Sequence, residues 1–285
     1  DGLHYGQVKW TAVPVVIPDN YKWYNNNANK TDASFYTKYT ERINQHWQTY
    51  VDLQLRNVNY NIYEVTDNPE LQVKENYLFF NPKAGSTYSS KNIQAYFSCG
   101  RATKEPNRDD FEANLNEQPK PEKLNDFEAG IEQKKSNYSW TVNLYYMLYQ
   151  DQLVLTGKIN DVGAYTRTNI PNSYRAGIEL QGGVKINKWL AVSANTTLSE
   201  NKIKNYTEFI DDYDNGGQVT NFYAKTDIAF SPSVIGAATV NITPLKNLEI
   251  DLYSKYVGYQ YLDNSSMKSR SLDAFFTQDI RLAYT

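Results

Sequence analysis

From Trp140 to Leu148 every second side chain is apolar. Trp140, Val142, Leu144, Tyr146 and Leu148 take the even positions, and Thr141, Asn143 and Tyr145 stand between them. Period-two alternation marks a β-strand whose two faces meet different surroundings, because successive Cβ atoms point to opposite sides of the pleat. The pattern recurs along the chain and predicts twelve strands. The first six are Tyr5–Val16, Ser34–Ile43, Trp47–Tyr63, Tyr77–Tyr88, Asn92–Ala102 and Leu124–Gln133. The others are Tyr138–Gln150, Asn172–Ile186, Trp189–Ile203, Ile228–Ile242, Asn247–Tyr261 and Leu272–Tyr284. Each is long enough to cross a bilayer at the tilt of a barrel strand.

The connections fall into two classes. Short polar turns are expected at Asn44-Gln45, Ser89-Ser90-Lys91, Lys134-Lys135-Ser136, Asn187-Lys188 and Pro244-Leu245-Lys246. Between them lie long polar segments studded with aromatics: Ile17–Ala33, Glu64–Asn76, Thr103–Lys123, Asp151–Pro171, Lys204–Asp227 and Asp263–Ser271. Alternating short and long connections put all the long ones at one end. That is the layout of a transmembrane β-barrel, an all-β fold with short turns on one side of the membrane and long loops on the other.

The faces can be assigned strand by strand. Val51, Leu53 and Leu55 alternate with Asp52, Gln54 and Arg56. Phe127, Ala129 and Ile131 alternate with Asp126, Glu128 and Glu132. Leu190, Val192, Ala194, Thr196 and Leu198 alternate with Ala191, Ser193, Asn195 and Thr197; Leu248, Ile250 and Leu252 alternate with Glu249, Asp251 and Tyr253. A charge facing lipid costs about 2–4 kcal/mol at the bilayer midplane. The charged faces therefore belong to a lumen that is wide and wet, or filled with polar protein.

Composition fits a barrel without proving it. The 285 residues include 25 Tyr, 5 Trp and 11 Phe. Such an excess suits aromatic girdles at two membrane interfaces, and equally a soluble sandwich or propeller. A mean hydropathy of −0.67 is compatible with a barrel, where only alternate strand residues face lipid. No apolar run is long enough for a transmembrane helix. Net charge is −3, from 29 basic and 32 acidic residues. No segment concentrates positive charge, so nucleic-acid binding lacks electrostatic support. Cys99 stands alone, alternates with Ala95 and Phe97, and reads as a packing or lipid-facing residue rather than a reactive thiol. The opening Asp1-Gly2 lacks the charged and apolar regions of a signal peptide, which suggests a mature or truncated chain.

Pro119 to Gly130 reads PKPEKLNDFEAG. The Pro-Glu followed by Glu-x-Gly at the head of a strand resembles a motif of TonB-dependent outer-membrane receptors. The resemblance continues through Arg101–Phe111, Tyr145–Leu180 and Lys225–Asn264, in the Asn-, Tyr- and Lys-rich style of Bacteroidetes members. It implies a barrel of about 22 strands around a plug domain. It further implies import of a bulky scarce nutrient, with energy from the inner-membrane TonB complex through a TonB box. No plug, TonB box or terminal aromatic strand is evident here, and twelve strands are too few. The chain is therefore expected to be an internal barrel fragment, open at both ends and unable to carry transport alone.

On the resemblance, Pro121, Glu122, Glu128 and Gly130 match the motif, with an architectural role expected: Pro121 approaches the strand and Gly130 leaves room in the interior. Arg101, Lys104 and Arg108, with Asn107 among them, lie near the rim where an anionic siderophore would arrive. Asp109 and Asp110 could instead pair with these cations locally. The aromatics Tyr21, Trp23, Tyr24, Tyr206, Tyr213 and Phe222 could stack on ligand or pack the loops together. The acidic loop Asp211–Gly217 could hold calcium, but its spacing is not that of an EF-hand and a solvated tip fits as well. Only His4 and His46 are available for acid–base work, both toward the short-turn end, and no zinc-ligand spacing or phosphate-binding motif occurs. No cofactor is expected.

The reading that results is an outer-membrane receptor and active transporter that forms no covalent bond. Its partners would be the TonB complex, outer-membrane lipid and a ligand, with ferric siderophore ranked ahead of cobalamin, haem and glycans. A passive or phage-exploited porin-like barrel, an outer-membrane lipase and a soluble carbohydrate-binding β protein are the alternatives. The scarcity of His argues against the lipase.

Overall fold

A computed structural model describes residues 26–63, 65, 69–113, 118–159 and 165–284. The expected strand Tyr5–Val16, together with His4, Tyr21, Trp23 and Tyr24, lies outside them. The elements are β1 (Asn27–Arg42), β2 (Trp47–Tyr63), β3 (Val73–Ser90), β4 (Ile93–Lys104), α1 (Arg108–Ala113), β5 (Glu122–Lys134), β6 (Tyr138–Ile159) and β7 (Tyr165–Lys185). Then come β8 (Leu190–Asp211), β9 (Gln218–Asp227), β10 (Val234–Leu245), β11 (Leu248–Val257), β12 (Gln260–Tyr261), β13 (Ser271–Leu272) and β14 (Phe275–Tyr284).

Twelve strands form one antiparallel sheet. Its order is β1 to β8, then β10, β11 and β14, with β9 paired to the far part of β8. Each strand of the main path follows its neighbour through a hairpin, so the sheet is a meander. Asparagine side chains shape some of the short turns: Asn44 Oδ1 accepts from the backbone N–H of His46 and Trp47, and Asn187 Oδ1 from that of Trp189. Such Asx turns reverse the chain within a few residues.

The register aligns the two faces across the whole sheet. Phe97, Ala129, Leu144, Ile178, Leu198 and Val234 form one continuous cross-strand row. One residue along, Ser98, Glu128, Tyr145, Gly177 and Ser199 form a row on the opposite face. The apolar face is uncovered: Phe97 is 52% exposed, Leu144 51% and Leu282 69%. A soluble sandwich would bury these side chains against a second layer, and among the described residues no second layer exists. Trp47, Trp140 and Trp189 all lie near the short-turn end.

The buried hydrophobic clusters lie elsewhere. Val58, Tyr60, Ile62, Val65, Leu71, Val73, Phe79 and Phe111 form one, and Val154, Ile170, Ile203, Tyr206 and Ile228 form the other. Both belong to the long-connection end, where strands run beyond their expected limits.

Those extensions correct the sequence expectation. Much of the expected loops Ile17–Ala33, Asp151–Pro171 and Lys204–Asp227 is ladder: β1 starts at Asn27, β6 and β7 continue to Ile159 and from Tyr165, and β8 and β9 make a hairpin. Conversely, residues Ile228–Ser233 precede β10 rather than opening it, and β11 ends at Val257. The physical reason is that alternation needs two different solvents. Beyond the apolar band the faces no longer differ in that way, so a strand there loses its period while keeping its backbone pairing.

Candidate functional site

The polar face offers the candidate site. A cleft of about 410 Å³ opens on it, walled by Tyr96, Glu128, Tyr145, Arg175, Glu179 and Ser231 among others. Adjacent strands supply these groups in register: Glu128 sits opposite Tyr145, Asn143 opposite Glu179 and Arg175 opposite Asn201. Arg175 Nη1 donates to Ser231 Oγ at 2.9 Å and Asn201 Oδ1 at 3.4 Å, which fixes the guanidinium at the wall. Asp126, one row up, has a buried Oδ1 without a hydrogen-bond partner. The arrangement presents hydroxyl, amide, carboxylate and guanidinium groups and can bind a polar solute.

Gly130 behaves as expected. A Cβ there would run into the Tyr96 ring and the side-chain oxygen of Asn143, which itself accepts from the Tyr96 hydroxyl at 3.0 Å. Tyr50 covers Gly85 and Tyr145 covers Gly177 in the same way. Each tyrosine lies flat on the wall because its cross-strand neighbour lacks a side chain. Of the other motif residues, Pro121 precedes β5 and Glu122 opens it. Glu122 Oε1 accepts the backbone N–H of Leu153 at 2.7 Å, a structural tie between β5 and β6. Glu128 faces the cleft.

The segment between β4 and β5 is pinned by buried carboxylates. Glu105, only 7% exposed, accepts from Lys30 Nζ at 2.7 Å and from Arg56 Nη1 at 2.8 Å; Arg56 also pairs with Asp32. Burial works to raise the Glu105 carboxyl, but hydrogen bonds from Lys30 and Arg56 outweigh it and hold it below the usual carboxylate range. Asn107 caps α1: its Oδ1 accepts the Asp110 N–H and the Asp110 carboxylate accepts the Asn107 N–H, both at 2.9 Å. Asp110 also meets Arg167 of β7 at 3.5 Å, and Phe111 is buried beside Tyr60.

The six expected ligand residues are therefore not one site. Arg101 alternates with Phe97 and Cys99 and falls on the apolar face, while Lys104 sits opposite Glu122. Asn107 is a helix cap, and Arg108 is the exposed first residue of α1. Tyr206 is 2% exposed and donates its hydroxyl to the Leu155 carbonyl at 3.3 Å, so it is a packing residue. Tyr213 is 91% exposed at the tip of the β8–β9 hairpin, far along the chain from the cleft residues. In that tip Asp212 Oδ1 accepts the N–H groups of Asp214 and Asn215, and Gly216 and Gly217 adopt positive φ. The Asp212 carboxyl, hydrogen-bonded by the Asn215 side chain and these backbone groups, is held below its usual range. That carboxylate serves the turn. His46 lies at a short turn, its Nδ1 2.8 Å from the Ser89 carbonyl.

Sequence reasoning missed Glu105, Arg175 and Ser231. Arg56 and Glu128 were recognisable on charged faces by alternation. Glu105 lies in a connection, where periodicity gives no facing.

A family model described as TonB dependent receptor-like, beta-barrel matches residues 1–285. The chain belongs to this family. Solved structures of similar fold carry the names of receptors and transporters. The ferric-catecholate import receptor Fiu from K12 E. coli, in its closed form, is 15% identical with a TM-score of 0.66, over 92% of this chain and 39% of that one. The siderophore receptor PiuA from Acinetobacter baumannii is 16% identical at 0.70, over 91% and 37%. The unliganded ferric citrate transporter FecA is 15% identical at 0.71, over 92% and 38%. The chain thus spans about two-fifths of the length of these structures. None of the curated proteins matches it. Barrels of TonB-dependent receptors are outer-membrane proteins. In such a barrel the apolar face of this sheet is the exterior and the polar face the lumen wall.

Proposed function

We propose that this chain is part of the wall of an outer-membrane receptor that imports a ferric siderophore with energy drawn from the TonB complex. The exposed apolar exterior would sit in the bilayer, and a plug domain and TonB box elsewhere in the receptor would supply gating and coupling. The observation that carries the reading is the polar lumen wall: carboxylate, guanidinium, amide and phenol groups follow one another in register from β2 to β11. Such a wall suits a hydrated, functionalised chelate or a polar plug, and both would be expelled by an apolar one. The siderophore is favoured over other cargo because Fiu and PiuA are named for ferric-catecholate and siderophore reception.

The test is growth of a deletion strain under iron starvation on single ferric chelates, complemented with the full-length receptor or its Arg175→Ala variant. Loss of growth on one chelate, restored by the receptor, supports the reading and names the cargo. Unchanged iron use on every chelate would sink the siderophore assignment and leave cobalamin or glycans as the cargo to test.

A further inference from the structure

We infer that the exterior of β7, β8 and β9 carries a site for a phosphorylated saccharide headgroup of an outer-leaflet glycolipid, built by Lys204, Lys225 and Tyr174. It is separate from the lumen cleft and independent of the cargo.

Two outward rows define the place. Along one, Gln150, Asn172, Lys204 and Lys225 pair across four strands; along the other, Leu148, Tyr174, Lys202 and Asp227 do so. By alternation both rows share the face of Leu144, Ile178 and Leu198, so they point away from the lumen. The buried groups at the same height, Ser173, Asn201, Ile203 and Thr226, take the other face.

Lys204 and Lys225 are direct cross-strand partners. Like charges directly opposite each other destabilise a sheet, so the pair calls for a compensating anion. Its own chain supplies only part of one. Glu200 Oε1 lies 3.0 Å from Lys225 Nζ and also accepts the Tyr174 hydroxyl at 2.9 Å; Asp227 is taken by Lys202 at 2.6 Å. Lys204 has no carboxylate partner among the described residues, and it is exposed. Both ammonium groups approach one ring, Lys204 at 5.9 Å and Lys225 at 5.5 Å from the Tyr174 centroid. A phosphate above that ring would neutralise the uncompensated charge and accept from two ammonium groups at once.

Height selects the source of the phosphate. Leu198 is the last apolar exterior residue of β8, and Lys204 lies six residues further, about 20 Å along the strand and less along the membrane normal because barrel strands tilt. That is beyond a simple phospholipid headgroup and within the saccharide layer of a glycolipid. The amides of Gln150 and Asn172 in the same row suit sugar hydroxyls.

The test uses the full-length receptor in neutral detergent, titrated with the host's purified phosphorylated glycolipid and followed by native mass spectrometry. The Lys204→Gln/Lys225→Gln double variant should bind about tenfold more weakly than wild type. Lys204→Arg/Lys225→Arg and a short-turn control, Lys188→Gln, should bind as wild type does. Enzymatically dephosphorylated glycolipid should bind wild type no better than the double variant binds the intact lipid. Heat-modifiable gel mobility shows that each variant is folded. Unchanged affinity in the double variant, or equal binding of the dephosphorylated lipid, overturns the proposal. Equal binding of phosphatidylglycerol, or displacement by inorganic phosphate alone, overturns the glycolipid as source.

Discussion

Leu180 and Gln181 are consecutive residues of β7, so they share a depth and differ only in face. Leu180 pairs with Val142 and Thr196 on the exterior, and Gln181 with Thr141 and Asn195 on the lumen side. Leu180→Arg puts a guanidinium into lipid in the middle of the apolar band. The cost is about 2–4 kcal/mol, a factor of roughly 30 to 900 in the folding equilibrium. Gln181→Arg puts the same group into a wet lumen, two residues from the Glu179 carboxylate on the same face. It should shift stability by less than about 0.5 kcal/mol, as exposed polar substitutions do. The assay is reversible denaturant unfolding of the full-length receptor in lipid vesicles, read by tryptophan fluorescence and by gel mobility without heating. A small cost at Leu180 matched by an equal or larger one at Gln181 would falsify the assignment of faces. Since the register links all the strands, it would discredit the lumen cleft as well.

Glu105→Gln removes the carboxylate that Lys30 and Arg56 share, and should loosen the α1 segment by about 1–2 kcal/mol, discounted for the partial exposure of both cations. The Glu105 carboxyl is held below its usual range, so its contribution is complete above the ordinary carboxylate pKa and fades as pH falls through the lowered value. Hydrogen exchange in α1 should therefore quicken below about pH 4 in the wild type and show a weaker pH dependence there in the variant. Gly130→Val drives side-chain atoms into the Tyr96 ring and should cost about 1–3 kcal/mol; a Tyr96→Ala background should relieve much of that cost in a double-mutant cycle of unfolding free energies. Tyr206→Phe leaves the Leu155 carbonyl without its hydroxyl partner and should cost about 1 kcal/mol, whereas Tyr213→Ala should leave the unfolding midpoint unchanged.

What the sequence revealed follows from where its two faces differ. Trp140 to Leu148 declares strand, facing and the end that bears the tryptophan, because lipid and water act on alternate residues. Eleven of the twelve expected strands fall within the described residues, and each overlaps an element of the sheet. Past the apolar band that contrast ends. β9 has strand-forming Val219, Phe222 and Tyr223, yet its exposed residues include Val219 and Phe222 beside its polar ones, so its periodicity says nothing about facing. The same loss hid the site. Tyr206, a polar aromatic in an expected loop, was assigned to ligand, although the long-connection end has a hydrophobic core of its own and that residue fills it. Glu105 was passed over because its partners, Lys30 and Arg56, stand 75 and 49 residues away in sequence. Arg56 was already placed on a charged face by its alternation with Leu55. A charge on a wall implies either solvent or a partner. A carboxylate just before Pro106, close to where β4 leaves the sheet, is the kind of group that can fold back to meet it. Pattern thus fixes the wall, and charges left unbalanced on the wall indicate where the connections return.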